Sequence, residues 1–166
     1  ALPISCKHLV KKFVCGSLTD YDTVYQFGKD KDLITIEIEN VNIEALKLLE
    51  KEGKKVFPQP HIIELIQDKG LQKMFYQRND IPSPDFFLVE NKEQINKYAD
   101  YFPFFQKMRK GGYDGKGQFV IRQAEQVAQA WTELQAGAPL IAEAFIQFNR
   151  ELSIIAVRAQ DGETRC

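Results

Sequence analysis

The twelve residues from Lys107 to Gln118, K-M-R-K-G-G-Y-D-G-K-G-Q, hold four glycines, three lysines and an arginine. A backbone stripped of Cβ atoms and ringed by cations can lie close against a polyanion. Phe104-Phe105-Gln106-Lys107 before the loop and Gln118-Phe119-Val120-Ile121 after it read as strands, so the stretch is a flap joining two antiparallel strands. A Walker-type phosphate loop is excluded: Gly117-Gln118 follows Gly115-Lys116, no hydroxyl is present to hold magnesium, and the next element is a strand rather than a helix. A dinucleotide fingerprint is excluded too, since Gly115-x-Gly117 lacks both the third glycine and the helix. The plainer reading is a long hairpin turned at Asp114-Gly115, which would need fewer glycines and gain nothing from the cations.

Two sets of carboxylates stand out as well. In Leu33-Ile34-Thr35-Ile36-Glu37-Ile38-Glu39 the isoleucines alternate with Thr35, Glu37 and Glu39, so the two acids share the polar face of a strand. In an open α/β sheet ligands sit at the carboxyl ends of strands, which makes Glu37 and Glu39 candidates together; a solvated edge strand explains the same pattern. Glu143 interrupts the apolar run Leu140-Ile141-Ala142-Glu143-Ala144-Phe145. An acid there is costly to bury without a donor, so it calls for a ligand, a paired cation, or a strand facing solvent.

The elements that position these residues follow from periodicity. Residues 1–20 read as one short strand and a loop, and Thr19 to Phe27 as a brief helix capped by Thr19 or Asp20. After the Leu33–Glu39 strand, Asn42 caps a helix that carries Ala45, Leu46, Leu48 and Leu49 and ends at Gly53, and Val56-Phe57-Pro58 is a short strand. Strand, helix and strand at this spacing make a βαβ unit with a parallel pair. Pro58-Gln59-Pro60 is the best candidate for a domain boundary, because neither element continues through two prolines.

Beyond it, His61 to Gln77 reads as one helix weakened at Gly70, and Asp85 to Val89 as a strand. Asn91 with Gln94 forms a capping box for a helix bearing Ile95, Tyr98, Ala99 and Phe102. The strand entering the flap turns Phe105, Lys107 and Arg109 to one side and Phe104, Gln106 and Met108 to the other. Ala124, Val127, Ala128, Trp131 and Leu134 mark an amphipathic helix. Leu140 to Gln147 and Arg150 to Ala159 are strands, the second turning at Asp161-Gly162.

Composition sets the outer limits. The chain has 166 residues, 44% of them apolar, and a net charge of −1, enough for one core or parts of two. Near-neutral charge speaks against a general nucleic-acid or membrane partner. With no apolar run of membrane-spanning length and no signal-peptide layout, a cytosolic location is the default. Cys6, Cys15 and Cys166 have no metal-ligand spacing and read as free thiols of a reducing compartment. His8 and His61 are the only histidines, too few for a Ser-His triad or a histidine-based zinc site.

Taken together, Q-D-K at Gln67–Lys69, G-G-Y-D-G-K-G-Q at Gly111–Gln118, A-E-A-F-I at Ala142–Ile146 and R-E-L-S at Arg150–Ser153 resemble the N5-carboxyaminoimidazole ribonucleotide synthetases. These are ATP-grasp ligases of purine biosynthesis. The resemblance implies an α/β fold: residues 1–60 as the C-terminal part of a Rossmann-like, pre-ATP-grasp parallel-sheet domain, and residues 61–166 as the first part of an ATP-grasp domain. It implies that Lys69 and Lys107 contact nucleotide phosphates beneath the flap Gly112, Tyr113, Asp114, Gly115, Lys116, Gly117 and Gln118. Glu143, Ala144, Phe145 and Ile146 would hold adenine, and Glu151 the ribose hydroxyls. Tyr113, Asp114 and Lys116, with Glu39 from the first domain, would face the substrate.

The implied reaction is carboxylation of 5-aminoimidazole ribonucleotide by bicarbonate at the expense of ATP, through carboxyphosphate, by a homodimer that needs Mg2+. The family's first strand and its G-x-G-x-L-G turn would precede residue 1, and its magnesium ligands would follow Cys166. The chain is therefore expected to be a fragment without ligase activity on its own. Two other classes stay open: another ATP-grasp carboxylate-amine ligase, such as a biotin-carboxylase-like enzyme, against which the Tyr113-Asp114 pair speaks, and a nucleotide-binding module without catalysis.

Overall fold

In a computed structural model the described residues are 7–95, 98, 102–112, 116–134 and 139–166. The expected strand before residue 20 does not form within residues 7–20, where Leu9 and Val10 are exposed. Helix α1 spans Tyr21–Gly28, and Asp20 is its cap, its carboxylate accepting the Thr23 N–H at 2.8 Å. Strand β1 is only Leu33–Thr35. Asn42 caps α2 (Ile43–Lys51) by accepting the Ala45 N–H, and β2 (Lys55–Phe57) returns parallel to β1 with Ile34 opposite Val56. The βαβ unit is thus present.

The strand expected over residues 33–39 is cut short because β2 stops at Phe57, after which Pro58 has no N–H to donate. Glu37 and Glu39 consequently lie on a bend beyond β1 rather than on a shared strand face. The single helix expected over residues 61–77 is two, α3 (Pro60–Gln67) and α4 (Lys69–Arg78). The break falls at Asp68, whose backbone is extended and whose side chain caps α4, and not at Gly70.

A four-stranded sheet follows, ordered β3-β6-β4-β5 with every neighbouring pair antiparallel: β3 (Phe86–Val89), β4 (Phe104–Met108), β5 (Gln118–Ile121) and β6 (Leu140–Ala144). The capping box opens α5 (Lys92–Ile95), with Gln94 N–H on the Asn91 side chain and Glu90 N–H on the Gln94 side chain. Helix α6 (Gln126–Glu133) is the amphipathic helix read from the sequence. Only Val157–Arg158 (β7) of the expected Arg150–Ala159 strand is paired, with Thr164–Arg165 (β8) about Asp161-Gly162. Leu152, Ile154 and Ile155 are exposed, and without burial on either face a strand gains little. Ala99 of the α5 helix reading lies outside the described residues.

Two apolar clusters result. Ile34, Val41, Leu46, Leu49, Val56 and Ile63 form the first, around α2 and the parallel pair. Val89, Ile95, Phe104, Ile121, Val127, Leu140 and Ala142 belong to the second, between one face of the four-stranded sheet and α5 and α6. The other face of that sheet is where α4 packs and where the charged residues gather.

Candidate nucleotide site

Side chains directly opposite one another in an antiparallel pair share a face. Phe105 is opposite Glu143 and Val120, and Lys107 is opposite Ile141 and Gln118, so these residues line the face away from the α5–α6 core. Lys107 Nζ donates to Glu143 Oε2 at 2.9 Å, and Lys73 Nζ lies 3.6 Å from the same oxygen while donating to Ser83 Oγ at 2.6 Å. Of the readings open for Glu143, the structure selects the paired cation. The residue is only 8% exposed, a position a lone carboxylate would not hold.

The second charged group is built on the break between α3 and α4. Asp68 accepts the Gly70 and Leu71 N–H groups and takes both ends of the Arg109 guanidinium at 2.9 Å each. Burial pushes its carboxyl up, but Arg109 and the two amides outweigh that and hold it below the ordinary value. This clasp joins the end of β4 to the start of α4, and Lys69 N–H donates to Arg109 O at 2.9 Å. Gly70 makes room for it: a Cβ there would stand 2.5 Å from Arg109 Nε.

Lys69 is therefore set at the root of the flap, where its Nζ donates to Gly111 O at 2.8 Å. Burial first, and then the nearby charge of Lys107, draw its pKa below the ordinary lysine value, against the pull of Glu143, Glu39 and Asp68. Lys69, Lys73, Lys107 and Arg109 lie about the carboxylates of Asp68, Glu143 and Glu39, one more cation than anions. Such a surplus at a half-buried cleft attracts an anion.

The base of the flap is a crossing only glycine makes easily. Gly112 and Gly117 both have positive φ, 73° and 71°, and a Cβ on Gly112 would lie 2.6 Å from Lys116 O. Met108 N–H then donates to Gly117 O, closing the two strands beneath. Tyr113, Asp114 and Gly115 lie outside the described residues. Lys116 and Gln118 are exposed at the flap's return, with Gln118 opposite Lys107.

Glu39 reaches the same region from the bend after β1. A cavity of about 420 Å³ is lined by Glu39, Gln67, Lys69, Lys110, Gly111 and Gly112, and Gln67 ties the bend down by donating to the carbonyls of Glu39 and Val41. At the end of β6, Ala144 N–H and Phe145 N–H are taken by Asp85 O and Pro103 O, whereas the Ile146 N–H has no partner among the described residues. The Phe145 ring stacks on Phe105 at 5.2 Å, with the Lys107 ammonium over Phe105 and the Arg122 guanidinium over Phe145.

Lys69, Lys107, Glu143 and the flap base are thus brought together, and Glu39 stands at their edge. Glu151 is not brought in: it is exposed and makes no hydrogen bond or ion pair among the described residues. Sequence reasoning missed Asp68, Lys73, Ser83 and the Phe105–Phe145 stack. One signal was available, since Lys73 is four residues from Lys69 and so shares its helix face.

Comparison with known proteins bears on the fold and the family. Residues 74–166 match the model of the ATP-grasp domain, and residues 2–67 that of the ribonucleotide synthetase preATP-grasp domain. The chain is 34% identical to the N5-carboxyaminoimidazole ribonucleotide synthase of Pseudomonas aeruginosa over 98% of its length and 45% of the relative's. It is 37% identical to the phosphoribosylaminoimidazole carboxylase of Candida glabrata over 90% of its length and 27% of the relative's. Among solved structures, the carboxyaminoimidazole ribonucleotide synthase of Aspergillus clavatus complexed with ATP matches with a TM-score of 0.87 and 29% identity, covering 95% of this chain and 42% of that one. The chain spans less than half the length of these relatives. Its fold, its flap and its matched segments place it: the chain belongs to the ATP-grasp family and is similar to that family's N5-carboxyaminoimidazole ribonucleotide synthetases.

Proposed function

We propose that the protein carrying this chain uses ATP to carboxylate 5-aminoimidazole ribonucleotide, giving N5-carboxyaminoimidazole ribonucleotide. The observation that carries the reading is the surplus of cations at the flap root, where Lys69 and Lys107 converge beside Glu143. A structure of the Aspergillus clavatus relative holds ADP and 5-aminoimidazole ribonucleotide, and this chain matches it with a TM-score of 0.83. Bicarbonate as co-substrate, a homodimeric assembly and a cytosolic location rest on the family resemblance. Among the described residues no helix is long and apolar enough to cross a membrane. The division into residues 1–60 and 61–166 is likewise a proposal, with Ile63 of α3 packing back on the first cluster.

Bicarbonate is a poor electrophile, so the γ-phosphoryl group must first move onto one of its oxygens, giving carboxyphosphate and ADP. The amine then attacks that carbonyl, and phosphate leaves. Positioning and charge neutralisation carry such a transfer. Lys69 and Lys107 supply the positive charge, the flap from Gly112 to Gln118 supplies N–H donors and keeps water from the intermediate, and Glu143 to Ile146 hold the base. Glu151 would take the ribose hydroxyls. Tyr113, Asp114, Lys116 and Glu39 stand on the amine's side. Among the described residues no group of three His, Cys, Asp or Glu is placed to hold a metal ion, and Asp68 and Glu143 are occupied by cations. They do not fit a magnesium site, and no step here runs through one.

The test is ADP release by the full-length protein with and without 5-aminoimidazole ribonucleotide. Release that depends on the ribonucleotide, with incorporation of labelled bicarbonate, is the expected result. Release indifferent to it would remove this reading and leave a nucleotide-binding domain.

A further inference from the structure

Glu143 has two cations on one oxygen. Lys107 Nζ is at 2.9 Å and Lys73 Nζ at 3.6 Å, both from Oε2, and Oε1 has no partner among the described residues. The two lysines differ in what else they can do. Lys107 stands on β4 at the open end of the face, its side chain 23% exposed, and a phosphate would compete for it. Lys73 stands on α4, its side chain 10% exposed, strapped by Ser83 Oγ at 2.6 Å. A single ammonium shared between a phosphate and the carboxylate that reads the base has three donors but only one charge, and offsets neither anion fully. Two lysines on one oxygen resolve that conflict: when Lys107 turns to the nucleotide, Lys73 stays.

We infer that Lys73 is a positioning residue for base selection: it holds Oε2 of Glu143 so that Oε1 accepts a hydrogen bond from the exocyclic amino group of adenine. The inference rests on the nucleotide reading proposed above. A carboxylate at that place favours a 6-amino group, which donates, and repels a 6-keto group, which only accepts. The open Ile146 N–H beside it would meet the ring nitrogen that accepts in adenine and is protonated in hypoxanthine. Lys73 touches neither phosphate nor reacting atoms, so its loss should weaken discrimination rather than chemistry.

The experiment uses the full-length protein with ATP and ITP as probes, which differ at this edge of the base. For Lys73→Met, KM for ATP should rise about tenfold, the loss of a charge-assisted anchor, with KM for ITP nearly unchanged, so that the ATP-to-ITP preference falls by about the same factor. The kcat at saturating ATP should stay within about twofold, since no interaction special to the transition state is removed. Lys73→Arg should restore most of the preference. Ser83→Ala, which keeps both charges and removes only the strap, should lower it by about threefold, and it serves where Lys73→Met fails to fold. A folded Lys73→Met with the wild-type ATP-to-ITP ratio overturns the inference, as does a Ser83→Ala with no change. A wild-type protein that binds neither nucleotide overturns the parent reading along with it, and is a distinct result.

Discussion

Lys69 shows how a single side chain ties burial, charge and function together. Burial and the proximity of Lys107 hold its pKa below the usual lysine value, so in the free protein it loses its proton at lower pH than an exposed lysine would. A bound phosphate would reverse this by favouring the ammonium. Binding should therefore take up a proton on the alkaline side, and ATP affinity should fall as pH rises through the free-protein value. Isothermal titration in buffers of different ionisation enthalpy measures the uptake, and Lys69→Arg should abolish it, because arginine stays charged. For Lys107→Met the expectation is a KM for ATP raised by about tenfold or more, with Glu143 left to Lys73 alone. Full ATP affinity in that variant would separate Lys107 from the phosphates.

At the scale of elements, the junction between α4 and β4 decides where Lys69 stands. Gly70→Ala would put a methyl 2.5 Å from Arg109 Nε, against a guanidinium held at both ends by Asp68. A cost of about 1–3 kcal/mol in denaturant unfolding is expected, together with weaker ATP binding because the flap root shifts. Asp68 gives this junction an acid dependence. Its folded pKa lies below the unfolded value, so the stability it contributes is present above about pH 3.8 and is lost as pH falls through the folded value. Asp68→Asn should accordingly be less stable than wild type at neutral pH and converge with it in strong acid. On the sheet's other face, Gln106 is fully buried among apolar side chains, and neither amide atom has a hydrogen-bond partner among the described residues. Gln106→Leu removes an unsatisfied amide and should stabilise the fold by about 1–3 kcal/mol; a loss of that size would show that the amide has a partner.

Over the whole molecule, two cores are built from separate elements. Leu46 is completely buried in the first cluster and Ile121 in the second, and truncating either to Ala should cost about 2–5 kcal/mol. If the clusters unfold as one unit, both variants shift the same transition; two transitions that respond separately would mark two folding units. Period and capping made much of this legible in advance. Asn42 and Asp20 cap the helices expected of them, β4 and β5 flank the flap, and the alternation in β4 places Lys107 opposite the core residues. These are local signals, carried by residues two to four positions apart. Strand length was not legible in the same way, because a strand continues only while a neighbour offers hydrogen bonds; β1 ends where β2 ends. The sequence by itself determined which side chains could serve a polyanion, and that glycines must crowd the loop between them. Only the tertiary structure decided that Lys73, from α4, shares an oxygen with Lys107, and that Asp68 breaks a helix to hold Arg109. Those pairings join residues 36 to 70 positions apart, and their energy comes from charges that meet in a partly buried space which exists only once the sheet and α4 have packed.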